Sequence, residues 1–226
     1  MLNTIDDKIW RVVMDNNLKS VIEKRIKRTM ENLEKNNMEA YYAEDSSKAL
    51  EIVKELVKEG ETVSVGGSMT LFETGLIEHL KSGKFNYLDR YAAGLTPEGI
   101  KDVFRKAFSA DSYITSSNAV TENGELYNVD GTCNRVAAML YGPDKVIVIV
   151  GVNKIVPDSD AAIERVRNTA APANAIRLSR KTPCVSTGQC MDCSSPERIC
   201  NSYVLIGRQA VKGRMKVVIV GTDLGY

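Results

Sequence analysis

The sequence predicts an α/β protein built on a largely parallel sheet with helices on both faces. Three observations carry that reading. Strand-like and helix-like patterns alternate from Tyr41 to about Arg167, as a series of βαβ units requires. Lys145 to Gly151 (KVIVIVG) is an unbroken β-branched run, the pattern of a strand buried on both faces. Thr62-Val63-Ser64-Val65 runs straight into Gly66-Gly67-Ser68 and then a helical pattern, a passage that suits the carboxyl edge of such a sheet. With 43% hydrophobic residues among 226, the chain has the apolar material for one substantial core, so residues 1–226 are expected to form a single domain.

The elements follow in order. Residues 6–38 have a helical period, with Leu18, Val21, Ile22, Ile26, Met30 and Leu33 recurring at three and four, so an N-terminal helical segment within 1–40 is expected. The basic run Lys24 to Arg28 is interleaved with Glu23, Glu31 and Glu34 and reads as a solvated helix face rather than a nucleic-acid patch. Ala40 to Ala43 is a short strand. Asp45-Ser46-Ser47 then caps a helix through Ala49, Leu50, Val53, Leu56 and Val57 that Gly60 ends. Past the glycine turn, one helix carries Leu71, Leu76, Ile77 and Leu80 and stops at Ser82-Gly83. Phe85 to Leu88 is a strand, and Thr96-Pro97-Glu98 opens a helix bearing Ile100, Val103, Phe104 and Phe108.

Tyr113 to Thr115 is a buried strand that leads through Ser116, Ser117 and Asn118 into a hairpin. Asn123-Gly124 between Ala119–Glu122 and Glu125–Val129 predicts a type I′ turn, which needs positive φ at both central residues. Cys133 to Leu140 is a short helix with Arg135 on it and Cys133 as a small core residue. A helix capped by Asp158 or Ser159 passes through Ile163 and Val166 and should end before Pro172. Beyond Arg180 the chain is rich in cysteine and turns. Two final strands, Tyr203 to Ile206 and Lys216 to Gly221, could complete the main sheet.

Three stretches carry chemistry. Gly66-Gly67-Ser68 sits between a strand and a helix start and suits a carboxylate or phosphate. Arg135, Asn118 and Asn123 are the polar residues expected to help it bind a small anionic metabolite. Glu122, beside the hairpin turn and past the carboxyl end of a core strand, is the candidate catalytic residue, a nucleophile or general base expected to share a cleft with Gly67. Cys184, Cys190, Cys193 and Cys200, within the segment 182–202, have the spacing C-x5-C-x2-C-x6-C. Four thiols this close suit a four-iron iron–sulfur (4Fe-4S) cluster or a zinc ion, with redox-active free thiols as the third reading. His79 stands far from them in sequence, so a metal here would be bound by thiolates alone.

A net charge of +1 gives no global attraction to nucleic acid, and no apolar run approaches the length of a membrane span. The N-terminal MLNTIDDKIW is too acidic and mixed for a signal peptide. A cytoplasmic protein with reduced cysteines is expected, acting alone, as a homodimer or with a redox partner protein.

Three signatures, VSVGGSMTLFETG at 63–75, ITSSNAVTENGELYNVDG at 114–131 and DKVIVIVGVNKIVPDSDAAIERV at 144–166, resemble those of the lactate-utilization (LUD) domain family. The likeness covers most of residues 15–180 and is similar to lactate-utilization protein C, with an added four-cysteine segment. It implies a Rossmann-like sheet related to ribose-5-phosphate isomerase and coenzyme A transferases, with a ligand cleft beside the first glycine loop and a role in organic-acid redox metabolism. Thr121-Glu122-Asn123-Gly124 is similar to the Ser-Glu-Asn-Gly element of class I coenzyme A transferases, which implies a nucleophilic Glu122 and, as the alternative, a hydrolase, transferase or isomerase with a structural zinc. The chain departs from lactate-utilization protein B in lacking its ferredoxin-like C-x2-C-x2-C run.

Overall fold

In a computed structural model that describes residues 15–226, the helices are α1 (Asn16–Lys35), α2 (Ser46–Leu56), α3 (Met69–Glu73), α4 (Leu76–Leu80), α5 (Pro97–Lys106), α6 (Asn134–Tyr141), α7 (Ser159–Arg165), α8 (Ala171–Arg177) and α9 (Pro183–Thr187). The strands are β1 (Glu39–Ala43), β2 (Thr62–Val65), β3 (Asn86–Leu88), β4 (Ser112–Thr115), β5 (Ala119–Thr121), β6 (Leu126–Asp130), β7 (Val146–Gly151), β8 (Ile155–Val156), β9 (Ser202–Ile206) and β10 (Met215–Val220). The part of the expected N-terminal helix before residue 15 lies outside the described residues.

Six strands make one parallel sheet in the order β1-β10-β7-β4-β2-β3. Strand β7 lies inside it, buried at every residue, as KVIVIVG predicts. Its side chains alternate between two cores. Val146, Val148 and Val150 pack with Ile26 and Leu33 of α1 and Met139 of α6. Ile147 and Ile149 face the other way, with Val53 of α2 and Leu71, Leu76 and Leu80 of α3 and α4. Helices therefore cover both faces, and the period-2 geometry of the strand decides which residue meets which. This is a Rossmann-like α/β fold.

The C-terminal half departs from expectation. A second sheet, β8-β5-β6-β9, stands beside the first, and of the two final strands only β10 enters the main sheet, between β1 and β7. Strand β9 instead pairs antiparallel with β6, because the cysteine segment delivers it to that edge. The helix before Pro172 does not stop there. A π-helical turn, Val166–Ala170, joins α7 to α8, and Pro172 falls in the first turn of α8, where a missing N–H costs little. The helix after the glycine turn is two short ones, broken at Gly75, whose φ is +70°.

The hairpin turn also differs. Gly124 has φ +78° but Asn123 stays at negative φ, so the connection is a type I turn closed by Gly124 N–H donating to Thr121 O at 2.9 Å, followed by a left-handed glycine. Helix α1 sets this choice. A Cβ on Gly124 would lie 2.4 Å from the backbone carbon of Asn32, so the turn is pressed against the helix. Asn32 Nδ2 donates to Glu122 O at 2.8 Å, and Asn36 Nδ2 donates to Asn123 O and Gly124 O at 3.0 and 2.9 Å.

Candidate functional site: a cationic cavity at the carboxyl edge of the sheet

In a parallel sheet every strand sends its chain out at the same edge, and ligands bind there. At that edge lies a cavity of about 280 Å³. After β2 come Gly67 and Ser68; after β3, Arg90; after β4, Ser116, Ser117 and Asn118; after β7, Lys154; after β10, Tyr226. Arg177 and Arg180 reach it from the end of α8, and Ile199 of the cysteine segment supplies part of its wall.

The lining is strongly cationic. Arg90, Arg135, Lys154, Arg177 and Arg180 face one carboxylate, Asp130. Asp130 is already paired with Arg135 at 2.6 Å. Among the described residues Arg90, Lys154, Arg177 and Arg180 make no ion pair. Arg90 rests on the rings of Tyr91 and Phe104, at 5.5 and 4.7 Å, which holds its guanidinium in place without neutralising it. Arg177 donates from Nε and Nη2 to Asn174 Oδ1 at 3.0 and 2.7 Å, which orients it and leaves its charge uncompensated.

The expected site residues divide. Gly67, Ser68, Asn118 and Arg135 line the cavity. Arg135 serves it indirectly. Its Nε donates to Asp130, Nη1 to Ser116 O and Asn128 Oδ1, and Nη2 to Asn118 Oδ1 and Val129 O. A guanidinium has five N–H donors, and all five are committed. Arg135 therefore braces the walls and adds positive potential, and the expectation that it grips the anion directly is corrected. Gly66 stands just behind the lining, where a Cβ would come 2.3 Å from Thr115 Oγ1 and 3.2 Å from Arg135 Cδ; it is glycine so that β2 can press against those two side chains. A Cβ on Gly67 would meet Arg90 Nη1 at 3.3 Å. Because α3 has only five residues, its dipole adds little here, and the side-chain cations supply the field.

Glu122 and Asn123 do not belong to the cavity. The Glu122 carboxylate turns to α1, where Arg25 Nε donates to Oε1 at 2.8 Å and Arg28 Nε donates to Oε2 at 2.7 Å, with a further contact from Arg28 Nη2. Burial pushes its pKa up, but the hydrogen bonds from Arg28 and Arg25 outweigh that and hold it below the ordinary value. The two guanidinium groups turn the carboxylate toward α1 and away from the cavity lining, so Glu122 does not share a cleft with Gly67, and that expectation is corrected. The same pairs show that Arg25 and Arg28 are not simply a solvated face. Asn123 contributes a backbone carbonyl to α1.

Lys154 was not singled out by the sequence, although a lysine just past the end of KVIVIVG was the available signal. It is 2% exposed, in a 3-10 turn (Val152–Lys154) between β7 and β8. Its Nζ donates to Thr70 Oγ1 at 2.9 Å and Ser116 Oγ at 3.0 Å. Burial lowers its pKa to about 7; Arg165 and Arg135 push the same way, and Glu73 opposes them weakly.

The cysteine segment forms a loop beside the cavity. Arg198 ties it together, donating from Nε to Cys200 O at 2.8 Å, from Nη1 to Cys193 O, and from Nη2 to Asp192 Oδ1 at 3.0 Å. Cys190 N–H donates to Arg167 O at 3.0 Å, and Asn201 N–H to Asp130 O at 2.9 Å, which anchors the loop to the helix turn on one side and the cavity wall on the other. All four thiols are half-buried. Burial pushes the Cys200 thiol up to about 11; Cys190 adds to the rise, Arg198 opposes it, and Cys184 and Cys193 add smaller increments. Among the described residues no three His, Cys, Asp or Glu side chains stand in ready ligating geometry. By chemistry the donor set suits a thiolate-bound centre. Cys133 is not the buried core residue expected; it is half-buried, with φ +61°, at the start of α6.

The LUD domain family model matches residues 26–220. The chain belongs to the LUD domain family. Membership supports a role related to lactate utilization. Among solved structures, a DUF162 family protein from Deinococcus radiodurans is similar to this LUD chain at 17% identity and a TM-score of 0.49, over 90% of this chain and 98% of its own. The eIF2B delta subunit from Chaetomium thermophilum matches at 20% identity and a TM-score of 0.34, over 65% and 55%. A chain of the tetrameric eIF2B-beta2-delta2 complex from C. thermophilum matches at 18% and 0.40, over 89% and 58%. The LUD chain thus spans little more than half of either eIF2B chain. No curated protein matches it. Among the described residues no helix is long and apolar enough to cross a membrane.

Proposed function

We propose that this LUD protein binds a small anionic metabolite, a carboxylate or phosphate, in the cavity at the carboxyl edge of its parallel sheet. One observation carries the reading: Arg90, Arg177 and Arg180 line a single cavity with no carboxylate paired to any of them among the described residues. Like charges gathered in a partly desolvated space repel one another, and an anion bound among them removes that cost. Titration calorimetry with L-lactate, pyruvate and inorganic phosphate tests it. At least one should bind, and Arg177→Gln should weaken that binding about tenfold, the value of one charge-assisted hydrogen bond. Failure of all three anions to bind would overturn the proposal.

The cysteine loop extends the reading to redox chemistry. The C-x5-C-x2-C-x6-C spacing and the loop's position against the cavity wall support a 4Fe-4S cluster held by Cys184, Cys190, Cys193 and Cys200, with zinc as the alternative ion. When bound, such a cluster supplies or accepts an electron. The protein then acts in organic-acid, lactate-like metabolism in the reducing cytoplasm, as lactate-utilization protein C-like chains are expected to, together with a redox partner or a second copy of itself. Metal and sulfide analysis of anaerobically purified protein distinguishes the cases: iron with sulfide supports the cluster, zinc supports the structural alternative, and protein free of both removes the metal.

A further inference from the structure

The cavity holds a group that anion binding alone does not require. Lys154 is buried, lines the cavity and has no carboxylate partner among the described residues. Its surroundings specify more than a charge. Thr70 Oγ1 donates its own hydrogen to Leu224 O at 3.5 Å, and Ser116 Oγ donates to Ser117 O at 3.4 Å. Both hydroxyls therefore receive hydrogens from the lysine. A neutral amine has two N–H bonds, and Thr70 and Ser116 accept both of them. The remaining valence of the nitrogen is its lone pair. In its neutral state an amine held in this way points its lone pair away from the two hydroxyls, as a nucleophile requires.

We propose that Lys154 forms an imine with a small aldehyde or ketone that also bears a carboxylate or phosphate. The proposal rests on the anion-binding reading above, since Arg90, Arg177 and Arg180 would hold the anionic group while the carbonyl carbon meets Nζ. The step balances without a redox partner. The nitrogen lone pair forms the C–N bond as the C=O π bond breaks, and the amine proton moves to the oxygen to give a carbinolamine. Loss of that oxygen as water leaves the C=N bond, and hydrolysis returns the free amine. Tyr226 lines the same cavity with its hydroxyl buried beside Arg177, which makes it the available group to pass a proton to the departing oxygen. With a pKa of about 7 against the ordinary 10.5, Lys154 holds about a thousandfold more free amine at neutral pH than an exposed lysine, a gain that its lower basicity only partly offsets.

Reductive trapping tests the step. The full-length protein is incubated with pyruvate or with dihydroxyacetone phosphate, reduced with borohydride and mapped by peptide mass spectrometry. The expected result is modification of the Lys154 peptide at least about tenfold above peptides carrying exposed lysines, suppressed by excess L-lactate or phosphate, which occupy the arginines but form no imine. Whichever probe labels more strongly identifies carboxylate or phosphate as the anionic group. Mapping the unaltered protein needs no variant, and Lys154→Met, if it folds, should lose the label. Anion binding by calorimetry without labelling at Lys154 would overturn the imine and leave the cavity reading standing. Absence of both would overturn the two together.

Discussion

Glu122→Gln separates a catalytic carboxylate from a structural one. The Glu122 side chain is 14% exposed, while its partners Arg25 and Arg28 are 34% and 53% exposed. Exposed pairs contribute about 0–1 kcal/mol, and breaking a buried pair costs about 3–5 kcal/mol. A pair buried on one side and wet on the other falls between them, so the substitution should cost about 1–3 kcal/mol. For a domain of this size that is a fall in Tm of about 3–9 °C. The pH dependence has a definite sign. The folded carboxylate has a lowered pKa, so its contribution is present above the unfolded value near 4.5 and is lost as pH falls through the folded pKa. The Tm difference between the two proteins should therefore be full at pH 8 and shrink as the pH is lowered below 4.5, while anion binding at pH 7.5 stays within about twofold of the unaltered protein. An unchanged Tm with lost binding or turnover would refute the clamp and return Glu122 to the site.

Other perturbations should act elsewhere. Gly66→Ala drives a Cβ to within 2.3 Å of buried Thr115 Oγ1 and should cost about 1–3 kcal/mol, read as a lowered denaturation midpoint. Gly67→Ala meets only the side-chain end of Arg90, at 3.3 Å, so it should fold normally and weaken anion binding by displacing that guanidinium. Lys154 binds a proton in the unfolded chain up to about pH 10.5 and in the folded chain only below about 7. Between those values its burial makes stability rise with pH, by at most about 1.4 kcal/mol per unit, and Lys154→Met should abolish that slope in denaturant melts run from pH 7 to 10. Replacing any one of Cys184, Cys190, Cys193 and Cys200 by serine should lower the metal bound per chain after anaerobic purification.

The main sheet was legible because its signals are local. A β-branched run buried at every residue, N-caps such as Asp45 and Asp158, and proline in the first turn of α5 each act over a few residues, and each stands where the sequence puts it. The second sheet was not legible, because β6 joins β9 across the whole cysteine segment and β8 has only two residues. Glu122 misled for a related reason. Its four-residue element is a hairpin turn, and what it does depends on Arg25 and Arg28, nearly a hundred residues away in the chain. Gly67 and Ser68 were found because the strand–turn–helix pattern marks the edge of a parallel sheet. Lys154, Arg90, Arg177 and Arg180 were not, since a charged residue after a strand or at a helix end looks like any surface residue until topology gathers such ends at one point.

The most direct measurement is a crystal structure of the protein grown with whichever of lactate, pyruvate or phosphate binds most tightly. The anion should sit at the carboxyl edge of the sheet within hydrogen-bonding distance of Arg177 and at least one of Arg90 and Arg180, beside Gly67 and Ser68, with Arg135 still bound to Asp130. An anion held elsewhere, such as against Arg25 and Arg28, with this cavity empty at saturating concentration, would contradict the account.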